Sequence, residues 1–289
     1  MILIFSTLLM CFSMKTLDST DKLYPSRLRE IVQVPKTLFV QGEVSCLTKP
    51  CVAIVGTRKP SNIALRTTKE WATVLSNAGI VIVSGMALGI DGAAHQGALQ
   101  GAAKTIAVLG CGVHVDYPKQ HRELKQAIID QGGCVVSEYP PDTPPRPANF
   151  PHRNRIISAL SDGVIVMEAA LKSGSLTTAK IAAEQGREVM AVPGSIHHPM
   201  TQGCHRLIRE GATLVSSIQE VVECLRFSIP ITWDAQVSDE KTTRLGKEER
   251  RLMTYIHHFS TPSMTSSCTV AWLFMKFALC SLHWNSPAT

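Results

Sequence analysis

The placement of glycine constrains the fold of this chain more than any other feature of its sequence. All 19 glycines except Gly246 lie between Gly42 and Gly211, and within that region helix-like stretches repeatedly end at a glycine that a short apolar run follows. Glycine adopts the left-handed backbone conformation without steric cost, so it closes a helix readily. Each glycine joint, meaning the point where a helix-like stretch ends at a glycine and an apolar run begins, therefore predicts a helix that leads directly into a buried strand. The joints lie at Gly79, Gly101, Gly132–Gly133, Gly186 and Gly211.

The apolar runs after these joints are continuous rather than alternating. Continuous runs indicate strands that are buried on both faces, and parallel sheets covered by helices are their usual context. The stretches between them show helical spacing, and in one of them four apolar residues fall on one face: Trp71, Val74, Leu75 and Ala78. We therefore predict a doubly wound α/β fold over roughly residues 50–225. Its strands are Val52–Val55, Ile80–Val83, Ile106–Leu109, Val135–Val136, Val164–Met167 and Val189–Val192.

The flanks of this region differ from it in composition. Residues 1–20 begin with an apolar segment that no basic residue precedes, which is not typical of a signal peptide. We place them outside the core, with Met14 as an alternative start. Residues 21–227 form the predicted domain, and residues 228–243 form a linker. Residues 244–289 predict one amphipathic helix and an almost uncharged tail, shorter than the ~20 residues that span a bilayer.

Composition excludes several classes of protein. With 45% apolar and 18% charged residues, the chain has enough material for a core and is not a disordered chain. No uncharged apolar run reaches the ~18 residues of a spanning helix, so we expect no membrane partner. Nine cysteines without a C-x-x-C pair argue against a disulfide framework or a structural zinc site. The net charge of +6 permits a polyanionic partner without requiring one.

Glycine-containing turns follow the first two predicted strands and lead into helices. Ligands of open parallel sheets bind beyond such strand ends, where free N–H groups at a helix start attract phosphate and an arginine binds it with two hydrogen bonds. We predict an anion site there, the alternative being ordinary turns with a solvated arginine. The residues concerned are Gly56, Thr57 and Arg58 in the first turn and Ser84, Gly85 and Met86 in the second.

Asp91 and His95 follow the second turn at a spacing of four residues. On one helical face such a pair suits general acid–base chemistry, but we favour a helix-capping carboxylate with a histidine packed beside it. Gly110 and Gly112 follow the third strand, yet Val115 stands where a dinucleotide-binding motif needs glycine. We therefore expect no nicotinamide or other cofactor.

A proline-rich stretch follows the fourth predicted strand. Six of the 16 prolines lie between Pro140 and Pro151, which predicts a stiff, extended loop. No acidic residue occurs between Asp142 and Asp162, but the stretch carries an aromatic residue and three arginines: Phe150, Arg146, Arg153 and Arg155. This combination suits single-stranded nucleic acid, because a base stacks on the ring and the phosphates pair with the charges. The alternative is a connector in which the ring of Phe150 packs into the core.

A lysine and small hydroxylated residues follow the fifth predicted strand. Such residues at a helix start form a second phosphate nest, whereas a helix cap alone would need only one of the two serines. The residues are Lys172, Ser173, Gly174 and Ser175. Elsewhere, His197-His198 and Cys204-His205 are adjacent pairs, which rarely converge on one ion, so we predict no metal site.

Seven segments, taken in order, resemble the DNA-processing protein A family (DprA/Smf). They are VAIVGTR, SGMALGIDGAAH, GCGVHVDYP, FPHRNRIIS, SGSLTTA, GREVMAVPGS and GCHRLIREGA, and with the lead-in before them they cover about residues 23–225. No segment is decisive alone, but the ordered succession is very specific. Many members of that family end in a winged-helix domain, so residues 244–289 are interpreted as an incomplete or altered form of it.

The resemblance implies an extended Rossmann-like domain that binds single-stranded DNA and forms a homodimer in the cytoplasm. It further implies that the protein protects incoming DNA and helps to load the RecA recombinase during natural transformation, without catalysis. At the matching positions, Arg58 and Arg155 resemble phosphate ligands, and Phe150 resembles a base-stacking residue.

Other matching positions complete the interface that the resemblance implies. The turn of Ser84, Gly85 and Met86 resembles a backbone phosphate contact, as does the turn of Lys172, Ser173, Gly174 and Ser175. Gly56 and Thr57 belong to the arginine turn. Arg153 and Asn154 belong to the R-N-R segment.

An enzyme on a related scaffold is the alternative function. The LOG family of lysine-decarboxylase-like nucleotide phosphoribohydrolases carries a P-G-G-x-G-T-x-x-E loop, whose glutamate the chemistry needs. The comparable loop here runs from Ser173 to Lys180 and is followed by no carboxylate before Glu184. The sequence therefore favours a DNA-binding protein that is not an enzyme.

Overall fold

The computed structural model describes residues 14–225, which form a nine-stranded sheet with α-helices packed against it. The strands are β1 Lys15–Asp18, β2 Thr37–Gly42, β3 Cys51–Val55, β4 Val81–Ser84, β5 Thr105–Val108, β6 Cys134–Ser137, β7 Gly163–Val166, β8 Glu188–Ala191 and β9 Thr213–Leu214. The helices are α1 Ser26–Arg29, α2 Asn62–Asn77, α3 Ile90–Gln100, α4 Arg122–Asp130, α5 Asn149–Leu160, α6 Gly174–Glu184, α7 Gln202–Arg209 and α8 Ile218–Leu225. Short 3-10 segments cover Val44–Thr48, Lys119–His121 and Pro199–Thr201.

The order of strands across the sheet is β1-β2-β6-β5-β4-β3-β7-β8-β9. All neighbours from β6 across to β9 are parallel, whereas β1 and β2 pair antiparallel, as do β2 and β6. The chain adds β4, β5 and β6 on one side of β3 and β7, β8 and β9 on the other. The order therefore reverses between β3 and β7, at the topological switch point where such sheets usually bind ligands. The doubly wound, mostly parallel fold predicted from the sequence is confirmed.

The antiparallel edge extends the sheet beyond the predicted strands. β1 pairs with β2, and Leu17 on β1 is buried in the core. The expectation that residues 1–20 lie outside the core is therefore wrong for residues 15–18. Only one of the four residues of β1 is buried, so this edge strand carries no apolar run by which to recognise it. The predicted linker (228–243) and C-terminal segment (244–289) lie outside the described residues.

Four of the five predicted glycine joints have the left-handed backbone conformation: Gly79, Gly132, Gly186 and Gly211. Gly101 differs, because its φ is −98°. A Cβ at this position would lie 2.5 Å from the side chain of Ser76. Glycine is required there by the close approach of α2 and not by the handedness of the backbone.

The core lies on both faces of the parallel strands. Every residue of β3 is buried, and alternate side chains enter opposite faces. Helix α2 covers one face with Trp71 and Leu75, whereas Val74, which was predicted beside them, is 37% exposed because it lies beyond the buried stripe. Within residues 14–225, no helix combines the length and apolar character needed to cross a membrane.

Candidate functional site

A pocket lies at the carboxyl ends of β4 and β5, to one side of the switch point. It encloses about 450 Å³, part of which is open to solvent. It brings together five of the predicted site residues, namely Arg58, Gly85, Met86, Phe150 and Arg153. The other lining residues are Ala87, Leu88, Leu109, Gly110, Cys111, Tyr117 and Pro118.

Arg58 stands at the rim of the pocket, on the turn between β3 and α2. Its side chain is exposed and forms no ion pair with another described residue. Its backbone is held by the turn after β4, since Ile90 N–H donates to Thr57 O at 3.2 Å. A Cβ on Gly89 would lie 2.9 Å from Arg58 Cα, so only glycine permits this approach. A fixed backbone that carries a free guanidinium suits a phosphate ligand.

Gly56 and Thr57 support Arg58 without lining the pocket. A Cβ on Gly56 would meet the Ile90 side chain at 2.6 Å, so glycine allows α3 to approach β3. Thr57 is buried, and its hydroxyl accepts the Lys59 N–H at 3.2 Å. Both residues position the arginine turn.

Two aromatic rings form one wall of the pocket. The centroids of the Tyr117 and Phe150 rings are 5.3 Å apart, and the ring planes meet at 38°. A Cβ on Gly110 would lie 2.8 Å from the Phe150 ring, so glycine lets the ring pack against the end of β5. Phe150 is half-buried and belongs to none of the core clusters, which argues against the alternative that it is a core residue.

Tyr117 is 40% exposed and was not among the predicted site residues. The signal for it was present in the sequence, because a tyrosine precedes Pro118 in the loop that follows the third predicted strand. Its position beside Phe150 depends on a contact between the loop after β5 and the start of α5, which spacing along the chain does not reveal.

Arg153 lies beneath the rim and is 5% exposed. Its Nη1 donates to Gly85 O at 2.8 Å and also to Val108 O. These bonds fix the guanidinium at the ends of β4 and β5. Burial lowers the pKa of Arg153 to about 10, while the negative charge of Asp91 acts in the opposite direction. The group therefore remains a cation at neutral pH.

The turn after β4 is shaped by its interior contacts. The Ser84 hydroxyl donates to Ile54 O at 2.7 Å, so it ties β4 to β3 and is not free for a ligand. A Cβ on Gly85 would lie 2.7 Å from Arg153 Nη2. Met86 has a φ of 60°, which is unusual for a residue other than glycine and indicates backbone strain beside the pocket.

Asp91 and His95 form separate buried contacts, and neither of them lines the pocket. Asp91 Oδ2 accepts the Ala87 N–H at 3.2 Å, and burial raises the pKa of this carboxyl. The Thr105 hydroxyl donates to Ile82 O at 2.7 Å, so it accepts from His95 Nδ1 at 2.8 Å. Burial lowers the pKa of His95 to about 3, which keeps the imidazole neutral.

Arg155 and Asn154 lie on α5 but do not line the pocket. Arg155 is 9% exposed, its Nη2 donates to Glu138 Oε2, and the same nitrogen lies 3.1 Å from His152 Nε2. The guanidinium of Arg155 is thus already paired with Glu138 at the end of β6, and its assignment as a phosphate ligand stays a prediction. Asn154 is half-buried.

The switch point between β3 and β7 is occupied by the protein's own Glu168, which is 3% exposed. Its Oε2 accepts the Ser61 N–H at 2.8 Å at the start of α2, and its backbone oxygen accepts the Thr57 N–H at 2.7 Å. Its Oε1 lies 3.5 Å from His198 Nδ1. A carboxylate thus occupies the helix start at which we predicted an external anion. Glu168 was not among the predicted site residues, although an acidic residue at a strand end was a signal for it.

The start of α6 combines a helix cap with an exposed lysine. The Ser173 hydroxyl accepts the Ser175 N–H at 3.4 Å and lies 2.7 Å from the Ser175 hydroxyl, so the two serines bond to each other. Gly174 and Lys172 are exposed. The hydroxyls are therefore used within the cap, whereas the lysine faces solvent.

Burial raises the pKa of Cys111, the cysteine that lines the pocket, so the thiol stays protonated. Between residues 14 and 225, no group of three or more His, Cys, Asp or Glu side chains is arranged to hold a metal ion.

The fold and the pocket together define a Rossmann-like ligand-binding protein whose site offers guanidinium groups and aromatic rings. A sequence model of the family described as DNA recombination-mediator protein A matches residues 15–226. The chain belongs to this family, and the resemblance noted in its motifs is confirmed.

Two curated relatives illustrate how much of the family's length the chain covers. Protein Smf of Escherichia coli (strain K12) is 46% identical over 213 residues, which are 74% of this chain and 57% of that protein. DNA processing protein DprA of Streptococcus pneumoniae is 47% identical over 207 residues, 72% of this chain and 73% of that protein. The chain therefore matches little more than half of the first relative.

Two solved structures share the fold. The X-ray structure of DNA processing protein A from Streptococcus pneumoniae has a TM-score of 0.71 at 45% identity and covers 74% of this chain and 75% of that one. The structure of DNA processing protein A from Helicobacter pylori, described for its unique single-stranded DNA binding mode, has a TM-score of 0.67 at 34% identity. That match covers 74% of this chain and 96% of the other.

Proposed function

We propose that this chain binds single-stranded DNA, with a phosphate on Arg58 and a base against the rings of Tyr117 and Phe150. The observation that carries the proposal is that one opening places a free guanidinium beside two accessible aromatic rings. Unpaired strands offer both of the matching groups, a phosphate and an exposed base face. A duplex stacks its bases internally, so it offers only the phosphate. The Helicobacter pylori relative, described as binding single-stranded DNA, supports this assignment.

The start of α6 supplies a second contact in this proposal. Lys172 and the backbone of Gly174 are exposed at the same edge of the sheet, where a neighbouring phosphate would find a charge and an N–H group. With this turn included, about three to five phosphates are neutralised, which corresponds to a log–log salt slope of roughly −2 to −4.

The wider role follows from family membership and belongs to the same proposal. The protein protects incoming single strands and helps to load the RecA recombinase during natural transformation, acting as a cytoplasmic homodimer without catalysis. The family's description as a recombination mediator supports this role.

The alternative of a LOG-like phosphoribohydrolase is less well supported. None of the residues that line the pocket is an aspartate or glutamate. The nearby carboxylates Asp91 and Glu168 are buried and hold backbone N–H groups of the chain itself. Release of free base from nucleoside monophosphates by the purified protein would support the enzyme instead.

Fluorescence anisotropy with a labelled dT oligonucleotide and a duplex of equal length tests the proposal. We expect tighter binding of the single strand, with Phe150→Ala weakening it by roughly 1–3 kcal/mol through lost stacking. The matched control is Phe150→Tyr, which keeps the ring and should retain most of the affinity. Equal affinity for both DNAs, or no affinity at low salt, would refute the proposal.

A further inference from the structure

We propose, on the basis of the proposed function, that Arg153 makes the pocket select a keto base, thymine or guanine, over an amino base, cytosine or adenine. Arg153 then reads the edge of the base rather than the phosphate.

The orientation of the Arg153 guanidinium is fixed before any ligand binds. Nη1 donates to the carbonyl oxygens of Gly85 and Val108, so rotation of the group would break both bonds. Nε has no hydrogen-bond partner among the described residues but is itself sealed from solvent. The nitrogen left to meet a ligand is therefore Nη2, since the bonds to Gly85 and Val108 both use Nη1. The group forms no ion pair in residues 14–225 either, and it lines the pocket. A buried, fixed and incompletely satisfied donor favours a ligand that brings an acceptor.

The other polar side chains of the pocket do not offset this preference. Besides Arg153 they belong to Arg58, Cys111 and Tyr117, and the lining contains no carboxylate and no carboxamide. Thymine O4 and guanine O6 are acceptors, and arginine pairs with guanine O6 and N7 in a bidentate way. Cytosine and adenine present an amino group at the corresponding position. That amino group would point its N–H at the N–H of the guanidinium, so neither of these two donors would find an acceptor.

Depth in the pocket separates the two arginines. Arg58 is exposed at the rim, where a hydrated phosphate binds with little desolvation. Arg153 is 5% exposed, and burying a charged phosphate beside it costs more than burying a neutral base. The rings of Tyr117 and Phe150 line the same pocket, so a base that stacks on them lies in the space that Arg153 also lines.

Such a preference is compatible with binding almost any natural strand. One keto base in the pocket satisfies Arg153, and every mixed sequence offers one within a few nucleotides. The site would therefore tolerate sequence while choosing the register in which the strand sits.

A comparison of dT12 with an equal-length oligomer of 5-methyl-deoxycytidine at pH 8 tests the inference. The two bases share the ring and the methyl group and differ in the carbonyl or amino group at position 4, with the matching change at N3. We expect dT12 to bind about 5- to 20-fold more tightly, the lower part of the range for one good bidentate edge contact, because thymine offers a single acceptor at this position. An oligomer of 4-thiothymidine, whose larger sulfur is a weaker acceptor, should bind with intermediate affinity when compared with dT12 at pH 7, where N3 of both bases keeps its proton.

Arg153→Lys assigns the preference to this residue. Lysine keeps the charge but cannot span both carbonyls, so we expect the ratio of affinities to fall below about twofold. The control is Arg155→Lys, which changes another buried arginine of the same helix, outside the pocket lining, and should keep the wild-type ratio. Thermal melting shows whether each variant folds. If Arg153→Lys does not fold, the relative affinities of the wild-type protein for the three oligomers test the keto preference.

The outcomes separate this inference from the proposed function. Equal binding of dT12 and the methylcytidine oligomer by the wild type overturns the keto preference and leaves single-stranded DNA binding intact. A preference that persists in folded Arg153→Lys also overturns it. Failure to bind any of the oligomers refutes the proposed function itself.

Discussion

The switch point and the pocket are built from similar parts, yet only the pocket is open to a ligand. Both lie where strands end in glycine-containing turns that lead into helices. At the switch point Glu168 accepts the Ser61 N–H at 2.8 Å, so the helix start already has its anion. At the pocket, Arg58 is exposed and Arg153 has an unpartnered nitrogen. The two regions therefore differ in whether the chain has already paired the donors at its strand ends.

The difference also explains why the pocket lies to one side of the usual crevice. A phosphate at the switch point would approach the buried carboxylate of Glu168 and be repelled by it. Glu168 also holds the turn that carries Arg58, because its backbone oxygen accepts the Thr57 N–H and its carboxylate accepts the Ser61 N–H. The residue that fills the switch point therefore also supports the rim of the pocket.

Arg58→Ala should have the largest effect on binding. The change removes the one exposed guanidinium among the pocket-lining residues, and a hydrogen-bonded charge contact contributes roughly 1.5–3 kcal/mol, or about 10- to 100-fold in affinity. Anisotropy titrations with dT12 at low salt measure it.

Lys59→Ala is the matched control for this prediction. Lys59 is an exposed cation next in the chain, but it does not line the pocket. We expect its loss to weaken binding only a few-fold. Equal losses for the two variants would mean that general charge, and not the pocket, holds the strand.

The sequence predicted the sheet because each of its signals was local. Continuous apolar runs and glycine joints identified the parallel strands, and four of the five joints use glycine as expected. β1 was missed because its single buried residue, Leu17, does not produce an apolar run that would indicate a strand. Gly101 was misinterpreted because its requirement comes from Ser76, which is distant in sequence.

The site was predicted less completely, because it depends on which groups are already paired. The motifs located Arg58, Phe150 and Arg153, which the pocket brings together. They did not distinguish Arg153 from Arg155, since the pairing of Arg155 with Glu138 is set by the packing of α5 on β6. They also did not show that Glu168 accepts the Ser61 N–H at the start of α2, because this hydrogen bond joins residues that are distant in sequence.

His95 tests whether the residues behind the pocket are structural. Its pKa is about 3 in the folded state against an ordinary 6.5, because burial disfavours the charged form. As the pH falls, His95 is therefore protonated in the unfolded chain before it is protonated in the folded chain. The contribution of His95 to the free energy of unfolding is present above pH ~6.5 and is lost as the pH falls toward 3. We expect the free energy of unfolding to be about 2 kcal/mol lower at pH 5 than at pH 7.5, measured by urea denaturation.

Two variants isolate this contribution. His95→Gln removes the titrating group, so the free energy of unfolding should change little over the same interval of pH, apart from what other groups contribute. His197→Gln removes an exposed histidine and should leave the wild-type slope unchanged. A wild-type slope in His95→Gln would show that another group controls the pH dependence.

Glu168→Gln should have the smallest effect and probes the filled crevice directly. The amide oxygen still accepts the Ser61 N–H, but the charge that complements the start of α2 is lost, which lowers the free energy of unfolding by about 0.3–1 kcal/mol. Urea denaturation measures this loss, with Glu184→Gln, an exposed residue near the end of α6, as the control. The crevice remains filled by an amide of the same shape, so dT12 should bind within about twofold of wild type, a change of less than ~0.5 kcal/mol. A tenfold gain in affinity would instead mean that the start of α2 is a second phosphate site that the carboxylate had blocked, and the contrast between the two regions would then be one of charge alone.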